Sequence, residues 1–160
     1  MTSVMFAAAL LGAASAADTV MLSADAKVRV TNGYYTAKIY YKYDSTSNKQ
    51  HYLRYDYSEP TEMSDLIDYK EGVRYKVCSN KCESGYYTYP APALFKQPGD
   101  VYANVNENGC KKYIPKDTAG IYSIWYKDDG TVCKAELPEG KTLILSNVNT
   151  GFSDNTKFTP

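Results

Sequence analysis

Two neighbouring segments alternate between apolar and polar side chains, and this pattern constrains the fold more than any other feature of the chain. In residues 34–43 (YYTAKIYYKY), one alternate set is alanine, isoleucine and tyrosine, and the other carries the lysines. Residues 51–57 (HYLRYDY) alternate in the same way, and the polar stretch between them, 44–49, is typical of a turn. A period of two residues indicates a half-buried β-strand, so the two segments predict a long antiparallel hairpin.

Later segments extend this prediction to the whole domain. Valines and tyrosines alternate with basic residues in 73–78, a turn at 128–130 (DDG) separates two β-like runs, and residues 142–148 form the most apolar strand candidate. Residues 90–104 are interrupted by prolines and predict a partly apolar loop with room for a helical turn. The 17 tyrosines also favour β structure. We expect about seven or eight strands in a meandering antiparallel sheet that is curved or closed.

The first 16 residues have the features of a secretory signal peptide. They contain no charged side chain, and their apolar run ends in the small-x-small pattern Ala14-Ser15-Ala16. The run is shorter than the roughly 20 residues that span a bilayer, so a membrane anchor is the weaker interpretation. We therefore predict a signal peptide over 1–16 and a single secreted β domain over 17–160.

The cysteine content agrees with export. An oxidising compartment would pair the four cysteines into two disulfides, and three connectivities are open. A zinc site would need a second compact pair of ligands, which the spacing does not provide, so we expect no metal. The four residues are Cys78, Cys82, Cys110 and Cys133.

Charge and motif content argue against two classes of function. Lys plus Arg and Asp plus Glu both number 18, so the chain lacks the basic excess of a nucleic-acid binder. The single histidine, His51, lies in a tyrosine-rich strand, and no nucleophile, phosphate-loop or metalloprotease motif is present. We therefore expect no enzymatic activity and no cofactor. A carboxylate pair drawn from the acidic residues of 56–68 is the remaining enzymatic alternative.

The tyrosines leave two interpretations open. Eight tyrosines and apolar residues fall on corresponding predicted faces, which would line the concave side of a curved sheet: Ile39, Tyr41, Tyr43, Leu53, Tyr55, Tyr57, Val73 and Tyr75. An apolar concave face with phenol tips suits a hydrophobic ligand, but a packed core has the same periodicity. Exposed tyrosines would instead suit the recognition of a protein or a glycan.

Three stretches taken in order resemble the ependymin-related secreted proteins. The first is a hairpin formed by residues 43–44 and 54–56 (YD followed by RYD). The second is residues 65–77 (DLIDYKEGVRYKV), which are followed by Cys82, and the third is the single Trp125 before a late hairpin.

The closing stretch, residues 143–160 (LILSNVNTGFSDNTKFTP), is similar to the end of LolA-like and LppX-like domains. Those domains finish with a strand, a G-x-x-D turn and a phenylalanine before a final proline, and Gly151, Asp154, Phe158 and Pro160 stand at the corresponding places. The resemblance implies an all-β fold with minor α-helix, in which a strongly curved antiparallel sheet forms a half-open barrel covered by a loop or short helix.

The resemblance also implies a function. A lipid or other hydrophobic ligand would lie in the hollow of the sheet, residues 90–102 would cover it with Leu94 and Phe95 facing the ligand, and Trp125 would join the cavity wall. A homodimer is among the implied partners. We therefore expect a secreted, non-enzymatic lipid-binding protein. The alternative is an extracellular surface or matrix protein that uses exposed tyrosines to bind protein or glycan.

Overall fold

The computed structural model describes residues 19–59, 62–77, 82–116 and 118–160. The predicted signal peptide and Cys78 lie outside the described residues. No helix in the described ranges is long and apolar enough to cross a membrane. A short 3-10 helix, Asn155–Phe158, follows 11 strands: β1 Thr19–Val30, β2 Gly33–Asp44, β3 Gln50–Tyr57, β4 Ser64–Asp68, β5 Val73–Lys76, β6 Glu83–Tyr86, β7 Val101–Glu107, β8 Cys110–Ile114, β9 Ser123–Tyr126, β10 Val132–Leu137 and β11 Lys141–Asn149.

All of these strands belong to one antiparallel sheet with the order β6-β5-β4-β3-β2-β1-β11-β10-β9-β8-β7. Each strand pairs with its neighbour in the chain, and the pairing of β1 with β11 joins the two meanders β1–β6 and β7–β11. The sheet ends at β6 and β7 without pairing them, so it is not closed into a barrel. The prediction of an all-β, curved and open antiparallel sheet is confirmed.

The predicted hairpin of residues 34–57 is present as β2 and β3, with Tyr41 opposite Leu53. Its turn is held by Asp44, whose carboxylate accepts hydrogen bonds from the backbone N–H groups of Thr46 (2.9 Å) and Ser47 (3.0 Å). An aspartate that bonds its own backbone in this way favours a turn over further strand. The predicted β9–β10 hairpin is present as well.

Three strands lie where no strand was predicted. β1 is the centre of the sheet, and β7 begins at Val101, inside the residues predicted as a loop. β8 follows β7 after a two-residue turn formed by Asn108 and Gly109. The irregular segment is therefore shorter than predicted, and it ends at residue 100.

Most of the core lies on one side of the sheet, which we call the inner face. Alternate residues of β1, β2, β3, β9, β10 and β11 supply it, and small side chains occupy its middle strands. Those buried residues are Leu22, Ala24, Ala26, Val28, Ala37, Ile39, Tyr41, Leu53, Tyr55, Ile124, Tyr126, Val132, Ala135, Leu143 and Leu145.

The segment that connects the two edge strands crosses this inner face. Its residues 90–95 (PAPALF), which we call the strap, contact both Tyr41 of β2 and Tyr126 of β9. Four strand spacings separate β2 from β9, which is roughly 19 Å in a flat sheet. Both hydroxyls reach the strap because the sheet curls around it, so the inner face is concave.

The outer face carries the C-terminal segment. Phe152 packs against Tyr40, with ring centroids 5.2 Å apart, and Phe158 stacks on Tyr52 at 5.7 Å. Asp154 caps the 3-10 helix by accepting a hydrogen bond from the backbone N–H of Thr156 at 3.0 Å. The segment thus covers β2 and β3 from the side opposite the strap.

One disulfide connects strands that are not neighbours. Cys110 at the start of β8 is bonded to Cys133 of β10, and β9 runs between those strands. Cys133 lies at an irregularity in the β9–β10 pairing, between Val132 and Lys134. Cys82 is disulfide-bonded as well. The prediction of disulfide bonding is confirmed for these cysteines.

Candidate functional site

The structure brings five of the predicted ligand-binding residues together on the inner face. Ile39, Tyr41, Leu53, Tyr55 and Leu94 are each at most 1% exposed. Because Leu94 belongs to the strap, the strap itself occupies the space between the two halves of the sheet. The side chains predicted to line a cavity are packed there against the protein's own chain.

A sixth predicted residue, Phe95, is half-buried at the end of the strap. Its ring centroid lies 6.4 Å from that of Tyr41 and 5.3 Å from that of Tyr43. Phe95 therefore closes one end of the inner face with an aromatic contact.

The predicted face is wrong for Val73 and Tyr75. The register of β4 and β5 places Tyr75 opposite Leu66 and Arg74 opposite Ile67, so Arg74 is the inner residue and Val73 and Tyr75 lie outside. The physical reason is an ion pair on the inner face between Arg74 and a buried aspartate, described below.

The predicted face is also wrong for Trp125. Its neighbours Ile124 and Tyr126 point inward, so Trp125 points outward, where it is buried beneath lysines. The ammonium of Lys134 lies 4.0 Å from the centroid of its ring, and its Nε1 donates to a carboxylate oxygen of Glu136 at 3.1 Å. Trp125 belongs to the outer face rather than to the hollow.

Phenol hydroxyls hold the strap in place. Tyr41 donates to the carbonyl oxygen of Pro92 at 3.3 Å, and Tyr122 donates to that of Pro90. The Tyr126 hydroxyl is shared between two further strap carbonyls, at 3.1 Å and 2.9 Å. A buried irregular segment needs partners for its backbone oxygens, and here inward-pointing tyrosines supply them. Burial raises the pKa of all three phenols, so they remain protonated donors.

His51 completes this end of the inner face. Its Nε2 atom lies 2.7 Å from the Tyr41 hydroxyl oxygen, and its ring makes edge contacts with Tyr41, Tyr43 and Tyr69. Burial lowers the pKa of His51 to about 4, so the imidazole is neutral at pH 7. The histidine thus extends the network of tyrosines that holds the strap.

Charged side chains occupy the opposite end of the inner face. The buried carboxylate of Asp65 accepts hydrogen bonds from Arg74 Nη2 at 2.9 Å and from the Tyr57 hydroxyl at 3.1 Å. The ammonium of Lys141 lies 4.8 Å from the centroid of the Tyr55 ring. Desolvation lowers the pKa of Lys141, and the nearby guanidinium of Arg74 lowers it further. The sequence placed Asp65 only among the carboxylates of the enzymatic alternative, and it pointed to neither Arg74 nor Lys141 as a site residue.

Two open clefts flank this charged end. One, of about 240 Å³, is lined by Tyr35, Tyr57 and Met63, with acidic side chains at its rim. The other, of about 310 Å³, lies beside Arg74 and Lys76 against the edge strand β6. Asp65 borders the first cleft and its partner Arg74 borders the second, so the ion pair lies between an aromatic wall and a polar one.

The comparisons with known proteins give only distant structural likenesses. The chain is similar to PNGF-II at 10% identity and a TM-score of 0.38, covering 88% of this chain and 30% of that one. It is similar to a DUF1329 family protein from Desulfovibrio piger at 12% identity and a TM-score of 0.41, covering 89% and 90%. It is similar to a domain described as belonging to an outer membrane lipoprotein-sorting protein from Vibrio parahaemolyticus at 11% identity and a TM-score of 0.36, covering 87% and 88%.

The chain thus spans less than a third of the length of PNGF-II. No family model and no curated protein matches the sequence. Since all three TM-scores are below 0.5, they assign neither a family nor a function. The resemblance to ependymin-related and LolA-like proteins stays a prediction.

Proposed function

We propose that this chain is a secreted, non-enzymatic binding protein that holds a lipid or other hydrophobic ligand against the concave inner face of its sheet. The observation that carries the proposal is the strap. The inner face already holds an extended, mostly apolar segment by burying its side chains and donating phenol hydroxyls to its oxygens. A ligand with an apolar body and a few acceptor oxygens would find the same chemistry there.

An open cleft at the charged end offers room for such a ligand. The cleft beside Tyr35 and Tyr57 has a mainly apolar lining, and its Tyr57 ring stacks on the buried ring of Tyr55 with centroids 5.9 Å apart. Its volume of about 240 Å³ suits a small apolar molecule or the end of an acyl chain. Burying roughly 200 Å² of apolar surface contributes roughly 5 kcal/mol before the entropic cost of association.

The test uses the neutral fluorescent probe N-phenyl-1-naphthylamine and two adjacent tyrosines that point to opposite faces. Tyr35 is 49% exposed at the cleft, whereas Tyr34 is 59% exposed on the outer face beneath Lys27. We expect the wild type to bind the probe, Tyr35→Asp to weaken binding about tenfold, and the control Tyr34→Asp to leave it unchanged. Absence of probe binding by the wild type, or equal losses in the two variants, would refute the proposal.

A second candidate function rests on a different observation. Tyr86 is 94% exposed on the edge strand β6, where backbone groups and an aromatic ring face solvent together. An extracellular protein could add a strand at this edge, or a glycan could stack on the ring. The test compares the wild type and Tyr86→Ser on an array of glycans and matrix proteins. If the wild type binds a member of the array, Tyr86→Ser loses that binding and the wild type does not bind N-phenyl-1-naphthylamine, this function replaces the first.

A further inference from the structure

One open cleft of the inner face combines aromatic rings with acidic side chains. It has a volume of about 240 Å³ and is lined by Tyr35, Tyr57, Glu59, Met63 and Asp65. The rings of Tyr35 and Tyr57 meet at 75° with their centroids 6.1 Å apart, so they form two walls of a corner. Tyr35 is 49% exposed and Met63 is 39% exposed, so a ring and a thioether present apolar surface to solvent there.

The two charged side chains that line this cleft are both acidic. Asp65 is compensated, because its carboxylate oxygens accept hydrogen bonds from Arg74. Glu59 forms no ion pair with any residue that the structure describes. No lysine or arginine is among the described residues of the lining. The cleft therefore carries the negative charge of Glu59 without a neighbouring cation.

The other charged residues at this end of the inner face balance one another. They form three combinations of opposite sign: Arg74 with Asp65, Lys141 with Glu139, and Lys76 with Glu83. Lys76 and Glu83 line the second cleft, and the ammonium of Lys141 lies over the ring of Tyr55. Glu62, beside Met63, is exposed and adds a further negative charge. A charged ligand of the cleft beside Tyr35 and Tyr57 would therefore be a cation.

An aromatic corner with a carboxylate at its rim suits a methylated ammonium group. The face of an aromatic ring attracts a positive charge, and quaternary ammonium groups are recognised in this way. Their methyl groups can pack against the rings and the thioether while the carboxylate attracts the charge. A small hydrated cation would instead have to give up its water for apolar surface.

We propose that the cleft between Tyr35 and Tyr57 binds a quaternary ammonium group. The two rings and Met63 pack against its methyl groups, and Glu59 supplies the counter-charge. This inference rests on the function proposed above, because it uses the same cleft, and it adds the chemical class of the group that enters it. A free quaternary amine and the head group of a choline lipid share this chemistry.

The experiment is an NMR titration of the protein with isotope-labelled methionine methyl groups. The Met63 methyl reports on the cleft, and the Met21 methyl is the internal reference, because Met21 precedes the inward-pointing Leu22 and lies on the outer face. The ligands are choline and its uncharged carbon isostere, neohexyl alcohol. Ammonium chloride is the small-cation control, and sodium chloride keeps the ionic strength constant.

We expect choline to shift the Met63 signal to saturation, with an affinity about tenfold above that of neohexyl alcohol. Ammonium should leave the signal unchanged, and no ligand should move the Met21 signal. Equal affinities of the two isosteres, the same shift with ammonium, or no shift with choline would refute the ammonium site.

Two variants assign the preference to the cleft. Glu59→Gln and Tyr35→Leu should each lower the preference for choline about threefold and leave the affinity for neohexyl alcohol nearly unchanged, because the carboxylate and the ring each supply part of the attraction. The matched control is Glu62→Gln, which removes an exposed carboxylate three positions away that does not line the cleft. If Glu59→Gln and Glu62→Gln behave alike, the proposed counter-charge is refuted. Unchanged thermal midpoints verify that the variants are folded.

A titration with dihexanoylphosphatidylcholine below its micelle concentration distinguishes the two sources of the group. Tighter binding than that of choline assigns the cleft to a lipid head group, and equal or weaker binding assigns it to a free quaternary amine.

The outcomes separate this inference from the function on which it rests. If N-phenyl-1-naphthylamine binds but choline has no advantage over neohexyl alcohol, the ammonium site is refuted and a hydrophobic site remains. If choline binds with the expected preference and the apolar probe does not bind, the ammonium site remains and the hydrophobic-ligand function has failed.

Discussion

The half-buried imidazole of His51 gives the most direct test of how the strap end is packed. Burial among aromatic rings lowers its pKa from the ordinary value of 6.5 to about 4. In the unfolded chain the same imidazole titrates near its ordinary value, about 6.5. The perturbation is His51→Gln, which keeps a polar side chain of similar reach but removes the titrating group.

The direction of the effect follows from proton binding. Above pH 6.5 both states are neutral and the histidine contributes no pH dependence. Between pH 6.5 and pH 4 the unfolded chain binds a proton that the folded protein does not, so stability is lost as the pH falls through this window. One pKa unit corresponds to about 1.4 kcal/mol, so the full shift removes about 3 kcal/mol from the free energy of unfolding. Below pH 4 both states are protonated and the loss levels off.

The assay is urea unfolding of wild type and His51→Gln at several pH values between 7.5 and about 3.5, which brackets the window. Carboxylates titrate in the same range, but they do so in both proteins, and the difference between the two curves isolates the histidine. We expect the wild type to lose about 3 kcal/mol more than the variant over this range. Parallel curves would show that the imidazole is solvated, and the packing of His51 against Tyr41 and the strap would then be refuted.

Three further changes test other contacts. Tyr126→Phe removes the hydroxyl shared by two strap carbonyls and should lower the free energy of unfolding by about 1–3 kcal/mol in urea titrations, a loss that an exposed strap would not show. Replacing both Cys110 and Cys133 by serine opens a loop with a sequence separation of 23. The free energy of unfolding should fall by about 3 kcal/mol, measured against the oxidised wild type by thermal unfolding. Phe158→Ala should lower the free energy of unfolding by about 3 kcal/mol and speed amide hydrogen exchange in β3. Unchanged exchange in β3 would contradict the docking of the C-terminal segment.

The strands that could be predicted from the sequence are those with one apolar, buried face and one polar, more exposed face. β2 alternates in burial from Ala37 to Tyr41, β3 alternates around Leu53 and Tyr55, and the turn residue Asp44 marks the boundary between the strands. β1 was not predicted as a strand. Two of its inward residues, Ala24 and Ala26, are small, so the apolar alternation is weak. Small inner side chains leave room for the strap where the sheet curls. The same small side chains make the apolar alternation of β1 weak in the sequence, although β1 is the central strand.

The β7–β8 hairpin could have been found from Asn108-Gly109. Both residues have positive φ angles, 53° and 81°, as the central pair of a type I′ turn requires, and Asn-Gly is the strongest short signal for that turn. None of the residues of the flanking strand β7 is buried. Its polar composition favoured a loop, so the turn residues were not read as a hairpin. Local turn chemistry was the better guide here than hydrophobic periodicity.

The candidate site was predicted only in part. The two-residue alternation places Val73 and Tyr75 on one face of β5 and Arg74 on the other, but it does not say which face is the inner one. The expected inner face was that of Val73 and Tyr75. Arg74 faces inward instead, where it pairs with the buried Asp65. The sequence also suggested phenols that meet a ligand. It could not reveal that Tyr41 and Tyr126 already bind the carbonyls of residues fifty and thirty positions away, because that contact depends on the curl of the sheet.

The pairing of β1 with β11 determines how the chain can assemble. Every other strand pairing joins chain neighbours and can form locally and early, whereas Ser23 and Asn149 meet across almost the whole described chain. Closing a loop of that length costs about 4 kcal/mol of chain entropy by the logarithmic rule, and no short-range contact offsets it in advance. The two meanders should therefore form first as separate units, and their joining along β1 should limit the folding rate. A circular permutant that links residue 160 to residue 19 and opens the chain between β6 and β7 would make β11 and β1 neighbours in the chain. Their pairing would then be a local hairpin, and the permutant should fold faster than the unpermuted chain.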